Sequence, residues 1–498
     1  MLVNLIEQTL LAISHLRRGQ RPELRPVEVP GIPGGALILG EYSDKKGGHS
    51  EPFYVPPDLS SRHLLFAAGS GGGKTTAIET VIGQLIDQGQ AFALIDARGD
   101  LADLALSSVA RRLRPPELRG RLIWIDMRDA EFSVGFSPMA GLGDPYARAQ
   151  SIGRLIRRHW GEFGPNVQLM ADNTLALFSL LGEPLWSLDN FFRLPAYRRS
   201  VTERCPDVRI RRFFEDEFDE LSPQKQQALV AAFMNKVNPW LGLPAIARML
   251  SRDGISFARL LERRRDLVVI CALGTDRNPS AALVGNLLFS AILEAGMRAD
   301  LPERDRTPLK LVADEFAALV DTEGPAFSEV LREGRRFKLS LILGVQSLLN
   351  LPTDVRRAIR ANVAVKLYGQ NSAEECGEAA REIVSDFGGK DMAQALMSQQ
   401  VGEMFAVVRG QKVSRQVKLS RTETSPVRDE ELRAVKQEAL RTYARPSSEV
   451  DRELLERDEA ARSMGSKLAK GTRSVESPGR AVRHGGARGR FAPEETSE

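Results

Sequence analysis

The stretch His63-Leu-Leu-Phe-Ala-Ala-Gly-Ser-Gly-Gly-Gly-Lys-Thr-Thr76 holds the densest set of chemistry-bearing residues in the chain. An apolar strand runs into a glycine-rich turn, and Ala77, Ile78, Val81, Ile82 and Leu85 leave it at helical spacing. This is the Walker A pattern, with Ala68 standing where a glycine is usual. Gly69, Ser70, Gly71, Gly72 and Gly73 allow backbone N–H groups to close around phosphate oxygens, and the N-terminus of the following helix adds favourable partial charge. Lys74 supplies a compact cation for the β- and γ-phosphates, Thr75 offers a hydroxyl to Mg²⁺, and Thr76 completes the loop. ATP and Mg²⁺ are the expected ligands.

A second constellation is Leu309-Lys-Leu-Val-Ala-Asp-Glu315, an apolar strand ending in two acids, which is the Walker B pattern. Asp314 would hold the Mg²⁺ through water, and Glu315 would polarise the attacking water as general base. A phosphoryl transfer to water is thereby favoured over transfer to a second substrate. The next apolar run, Leu339–Val345, ends at Gln346, where a glutamine side chain reaches both a γ-phosphate and the attacking water. Arg335 and Arg336 precede that run; one of them is a candidate arginine finger serving a neighbouring subunit, and a solvated basic turn is the plain alternative.

The elements that must carry these residues follow from short apolar runs alternating with helical patterns. Strands are expected at Leu64–Ala68, Phe92–Asp96, Leu122–Asp126, Leu267–Leu273, Leu309–Asp314, Leu339–Val345, Val363–Leu367 and Glu403–Val408. This is the signature of an α/β fold with a parallel-dominated sheet. Residues 144–263 interrupt the alternation with purely helical spacing and are expected to form an inserted all-α domain within an ATPase domain made of 61–143 and 264–425. Residues 1–60 are read as an N-terminal helix, over Met1–Leu16, and a short β segment. Residues 426–498 are read as charged helices and a partly disordered basic tail, since Ser466–Arg490 holds seven basic residues and one acid.

Bulk composition narrows the field further. The 498 residues carry 69 Lys+Arg against 65 Asp+Glu, a net charge of +4, so coating of nucleic acid by overall charge is excluded. Aromatics at 6% argue against rows of stacked bases. Three scattered cysteines indicate neither a disulfide framework nor a zinc site, in keeping with a reducing cytoplasm. No run approaches the roughly 18 apolar residues of a membrane helix. Of the basic residues 14 are lysines, and between Gly47 and Gln224 the sole lysine is Lys74. A point charge is needed there, and arginine's planar fork replaces it poorly.

Taken together, Arg62-His63, Ile95-Asp-Ala-Arg-Gly-Asp100, Asp314-Glu-Phe316, Glu333-Gly-Arg-Arg336, Gln346-Ser347 and Gly402-Glu-Met-Phe405 resemble the FtsK–HerA superfamily of DNA-pumping ATPases. Within it the chain looks most like conjugative type IV secretion coupling proteins and HerA-like ATPases. The resemblance spans about Gly40 to Thr424. It implies a RecA-like P-loop motor with an inserted helical domain, a homo-hexameric ring with ATP between subunits, and double-stranded or transferred single-stranded DNA through the centre. On that likeness Arg335 takes the finger role ahead of Arg336. Coupling proteins usually carry N-terminal membrane helices and this sequence has none, so a cytoplasmic protein recruited to the membrane by an anchored or secretion partner is expected. A secretion ATPase acting on protein, a HerA-like component of DNA processing or phage defence, and a non-enzymatic adaptor are the competing readings.

Overall fold

The computed structural model describes residues 32–43, 50–141, 143–251, 254–297, 301–319, 325–383, 389–412, 414–420 and 426–473. The helix expected over Met1–Leu16 and the basic tail beyond Arg473 lie outside the described residues. The elements that position the site are, in chain order, β1 (Leu37–Ser43), β2 (Ser50–Val55), β3 (Leu64–Ala67), α1 (Lys74–Asp87), β4 (Ala91–Asp96), α2 (Asp100–Arg112), β5 (Leu122–Asp126) and β6 (Phe132–Val134). There follow α3 (Pro145–Trp160), α4 (Pro165–Leu181), α5 (Pro223–Leu241), β7 (Val268–Ala272), α6 (Ala281–Gly296), β8 (Leu309–Asp314), α7 (Pro325–Glu333) and β9 (Leu339–Val345). The remaining elements are α8 (Thr353–Asn362), β10 (Val365–Tyr368), α9 (Ala373–Ala380), β11 (Glu403–Val408), β12 (Arg415–Leu419), α10 (Asp429–Tyr443), β13 (Ala444–Pro446) and α11 (Ser447–Arg473).

Eleven strands form one sheet in the order β2-β1-β12-β11-β10-β3-β9-β8-β4-β7-β5. From β10 to β5 all neighbours are parallel, whereas β11, β12, β1 and β2 add antiparallel pairs at one side. The parallel strands are apolar without a polar face because helices cover both sides. Successive side chains divide between two cores, as the two-residue period of a strand requires. Leu64, Phe66, Phe92, Leu94, Val268 and Ile270 join α1, α2 and α10 on one face. Leu65, Ala67, Ala93, Ile95, Val269 and Cys271 join α6, α7 and α8 on the other. The eight expected strands all form, with ends shifted by at most two residues. The β1–β2 ribbon is part of this same sheet, because β1 pairs with β12.

Between Pro145 and Arg263 every described element is helical. Aromatic rings fill this region: Phe191 lies 5.2–5.4 Å, centroid to centroid, from Phe178, Phe192 and Phe214 in edge-on contacts. These rings are continuous with the core on the α6 face of the sheet. The C-terminal helices link the two parts. β13 pairs with β6, α10 packs on α2 and β5, and Arg248 of the helical region holds Asp451 of α11 through two bonds of 2.7 and 2.8 Å. Among the described residues, no helix is long and apolar enough to cross a membrane.

Phe191 is fully buried and makes three ring contacts, so Phe191→Ala is expected to cost about 3–5 kcal/mol. The variant should expose residues 145–263 to limited proteolysis at temperatures where the wild type resists. Phe191→Leu should fall between the two.

Candidate active site

The sheet order brings the sequence-predicted residues together, because β3, β9, β8 and β4 are consecutive and parallel. Their carboxyl ends therefore open side by side onto the phosphate loop after β3, Gln346 after β9, Asp314-Glu315 at the end of β8 and Asp96 at the end of β4. Strand ends of this kind are where open α/β sheets bind ligands.

The loop itself is built on backbone geometry. Gly73 caps α1 at φ 92° and ψ 4°, a left-handed conformation that a side chain would strain, and a Cβ there would meet the backbone of Gly402 at 3.2 Å. Ala68 is fully buried, and a Cβ on either Gly72 or Gly369 would fall 2.8 Å from its methyl group. The alanine is thus accommodated by two glycines facing it. The first amides of α1 have no partner within the helix and point toward the loop, as anion binding requires.

Lys74 is buried, and its ammonium donates to the carbonyls of Ala68 at 2.7 Å and Gly69 at 3.2 Å, with Glu315 at 3.8 Å. The cation is therefore held inside the loop by acceptors it can exchange for phosphate oxygens. The Thr75 hydroxyl donates to Asp314 Oδ2 at 3.4 Å, so the two residues expected at the metal converge. Burial raises the Asp314 carboxyl to about 6, with Glu315 and Asp96 adding repulsion and Lys74 opposing it. Burial also raises Asp96, which accepts from the amides of Arg98 at 3.1 Å and Ala102 at 2.9 Å and so caps α2. Among the described residues no group of three His, Cys, Asp or Glu could hold a metal alone. A Mg²⁺ ion held by one hydroxyl, one carboxylate and nucleotide phosphates fits this arrangement and its crowded negative charge.

Glu315 adopts φ 54°, an uncommon conformation for a non-glycine residue, and its amide donates to Asp314 Oδ1 at 3.1 Å. Both carboxylates therefore face the site from adjacent positions rather than to opposite sides of a strand. Gly344 on β9 leaves the room: a Cβ there would lie 2.3 Å from Asp314 Oδ1.

Arg335 is not brought into this site. It sits exposed in the turn Gly334–Phe337, before β9, at the opposite end of the sheet from Lys74. The seven residues of β9 put roughly 20 Å between that turn and Gln346. Arg336 lies 4.0 Å from Glu333 and 5.8 Å from the centre of the Phe337 ring. His63 belongs to the same far end, where its Nδ1 accepts from the Leu341 amide at 3.0 Å and burial lowers it to about 4. Sequence reasoning gave no role to Gly344, Gln370, Asn371 or Glu375, which surround the site through sheet order rather than through any motif, and it quoted Asp96 only within Ile95-Asp-Ala-Arg-Gly-Asp100, without a role of its own.

The titration of Asp314 has a consequence for the metal-free protein. Its folded pKa of about 6 lies above the unfolded 3.8, so the folded state holds a proton more tightly and loses stability as pH rises between those values. Without nucleotide or metal, Asp314→Asn should melt a few degrees above wild type at pH 8. The gap should close below about pH 4. A gap independent of pH would contradict the assignment.

The sequence matches no family model and no curated protein. The structure, in contrast, is similar to solved structures of the plasmid coupling protein TrwB. The complex with the non-hydrolysable ATP analogue ADPNP aligns at TM-score 0.55 and 15% identity, over 74% of this chain and 88% of that one. The complex with the GTP analogue GDPNP aligns at 0.53 and 16%, over 80% and 99%. The unbound monoclinic form of the bacterial conjugative coupling protein TrwBdeltaN70 aligns at 0.52 and 14%, over 75% and 87%. The chain therefore has the α/β, RecA-like P-loop ATPase fold of TrwB, and the resemblance drawn from its motifs leads to the same proteins.

Proposed function

We propose that this protein is a Mg²⁺-dependent ATPase that translocates DNA, of the conjugative coupling-protein or HerA-like type, acting as a homo-hexameric ring. The observation that carries the ATPase reading is the meeting of Lys74, Thr75, Asp314 and Glu315 within hydrogen-bond or ion-pair reach at adjacent strand ends. Gly69 to Thr76 would cradle the phosphates, and Thr75 and Asp314 would hold the metal, which supplies charge neutralisation at the phosphates. Glu315 would accept the proton of the attacking water, and Gln346 would orient that water and register the γ-phosphate. Residues 61–143 and 264–425 would form the motor and 144–263 the inserted module.

The exposed position of Arg335 supports the ring reading. An exposed arginine at the far end of β9 cannot reach its own chain's nucleotide, so a finger role requires a neighbouring copy. The DNA reading rests on the fold shared with TrwB and on local basic surface. Arg360 adds little to that surface, since it pairs with Glu378 and Glu382 at 2.7 Å each. Work at the inner face of a membrane would use an anchored or secretion partner.

Lys74→Ala should abolish ATP turnover by removing the cation at the phosphates. Glu315→Gln should bind ATP normally yet lower kcat by about 10²–10⁴, the usual range for loss of a general base. Turnover should rise with long duplex or single-stranded DNA; an assembled ring indifferent to both would remove the DNA reading. Stimulation by a secreted protein without DNA would instead favour the protein-secretion alternative.

A further inference from the structure

The phosphate loop follows β3 and the Gln346 loop follows β9, yet a single short segment after β10 holds both. The Gln370 carbonyl accepts the Gly69 amide at 2.8 Å. Asn371 Nδ2 then donates to the Gln346 carbonyl at 2.6 Å, while its Oδ1 accepts from the Ser372 amide at 2.9 Å and fixes the side-chain orientation. Because β3 lies between β10 and β9, this bond passes across the end of β3 at the base of the phosphate loop.

Glu375 continues the contact one turn later. It is buried in the first turn of α9, and its carboxylate accepts from the Ser347 hydroxyl, the Leu348 amide at 3.2 Å and the Leu349 amide at 3.0 Å. Three donors on one carboxylate, all from the residues that follow Gln346, make a directional and charge-assisted grip. Two of those donors are backbone amides beside a buried group, so loss of the acceptor leaves them without a partner. The C-terminal end of α9 is fixed in turn: Glu378 pairs with Arg360 of α8 at 2.7 Å, and Glu382 beyond α9 pairs with Arg360 and with Lys366 of β10.

We propose that Asn371 and Glu375 are positioning residues that hold Gln346 between the phosphate loop and Glu315 and couple any movement of its loop to α9. Their hydrogen bonds go to the Gln346 loop, and they would act through it. The inference rests on the ATPase reading above, for which Gln346 matters. Glu375→Gln retains the size of the side chain but turns one acceptor into a donor facing N–H groups. Asn371→Ala removes only the bond to the Gln346 carbonyl and the short link to Ser372.

The test measures steady-state ATP turnover for wild type, Lys74→Ala, Glu375→Gln and Asn371→Ala, together with amide hydrogen exchange over 341–350. Each positioning variant should lower kcat about tenfold and leave KM for ATP within about twofold, since misplacement of a catalytic group costs rate rather than binding. Glu375→Gln should speed exchange at 347–350 by about tenfold while 341–345 stay protected, as local rather than global opening requires. Unchanged kcat, or a rise in KM that accounts for the loss, overturns the proposal. If wild type turns over ATP no faster than Lys74→Ala, the ATPase reading fails by itself. Exchange then decides whether Glu375 holds the loop, and unchanged exchange overturns the inference in either case.

Discussion

The structure is organised around buried negative charge at the carboxyl end of the sheet. Asp314, Glu315 and Asp96 lie on neighbouring positions, and burial with mutual repulsion raises the Asp314 carboxyl to about 6. Among the described residues Lys74 is the cation that offsets them, 3.8 Å from Glu315, and negative charge crowded in this way suits a bound cation. Mg²⁺ with nucleotide phosphates would complete it. The constraint reaches outward into the packing, because Gly344 must lack a side chain for Asp314 to occupy its place.

A parallel sheet suits that requirement. It directs the carboxyl ends of several strands to one edge, so residues separated by more than two hundred positions meet without any strand changing direction. The opposite edge has a different character. His63, Lys310 and the Gly334–Phe337 turn are packed there as structural ties, with Lys310 lowered to about 8 by burial and donating to the Ser60 carbonyl at 3.1 Å. Arg335 stands at that edge, exposed. The two ends of one strand, β9, thus separate the candidate Gln346 from the candidate finger. Only contact between copies could bring an arginine of that edge to a nucleotide.

The sheet and the helices between Pro145 and Arg263 share one apolar core on the α6 face, and the C-terminal α10, β13 and α11 pack against both. Packed side chains therefore connect the sheet with the helices of residues 145–263. The segment Gly369–Glu375 offers a shorter connection, from the phosphate loop to the loop after β9 and into α9. Both connections pass through buried polar or apolar contacts that have little slack.

The sequence by itself determined the strands and the chemistry at their ends. Apolar runs such as Leu309–Ala313 are buried whatever lies beside them, and a glycine-rich turn followed by Lys74 and Thr75 has one physical use that accounts for all its parts. It did not disclose β6, β12 or β13, which are short or half exposed and owe their form to partners rather than to their own patterning. It also did not disclose the grip of Asn371 and Glu375. An asparagine and a glutamate near a helix start are ordinary in a sequence, and their meaning depends on which strands become neighbours. That order, β10-β3-β9-β8-β4, is set by long-range packing and crossover connections, which no local pattern encodes. Tertiary structure alone decided that Asn371 crosses the base of the phosphate loop to reach Gln346, and that Arg335 stays away from it.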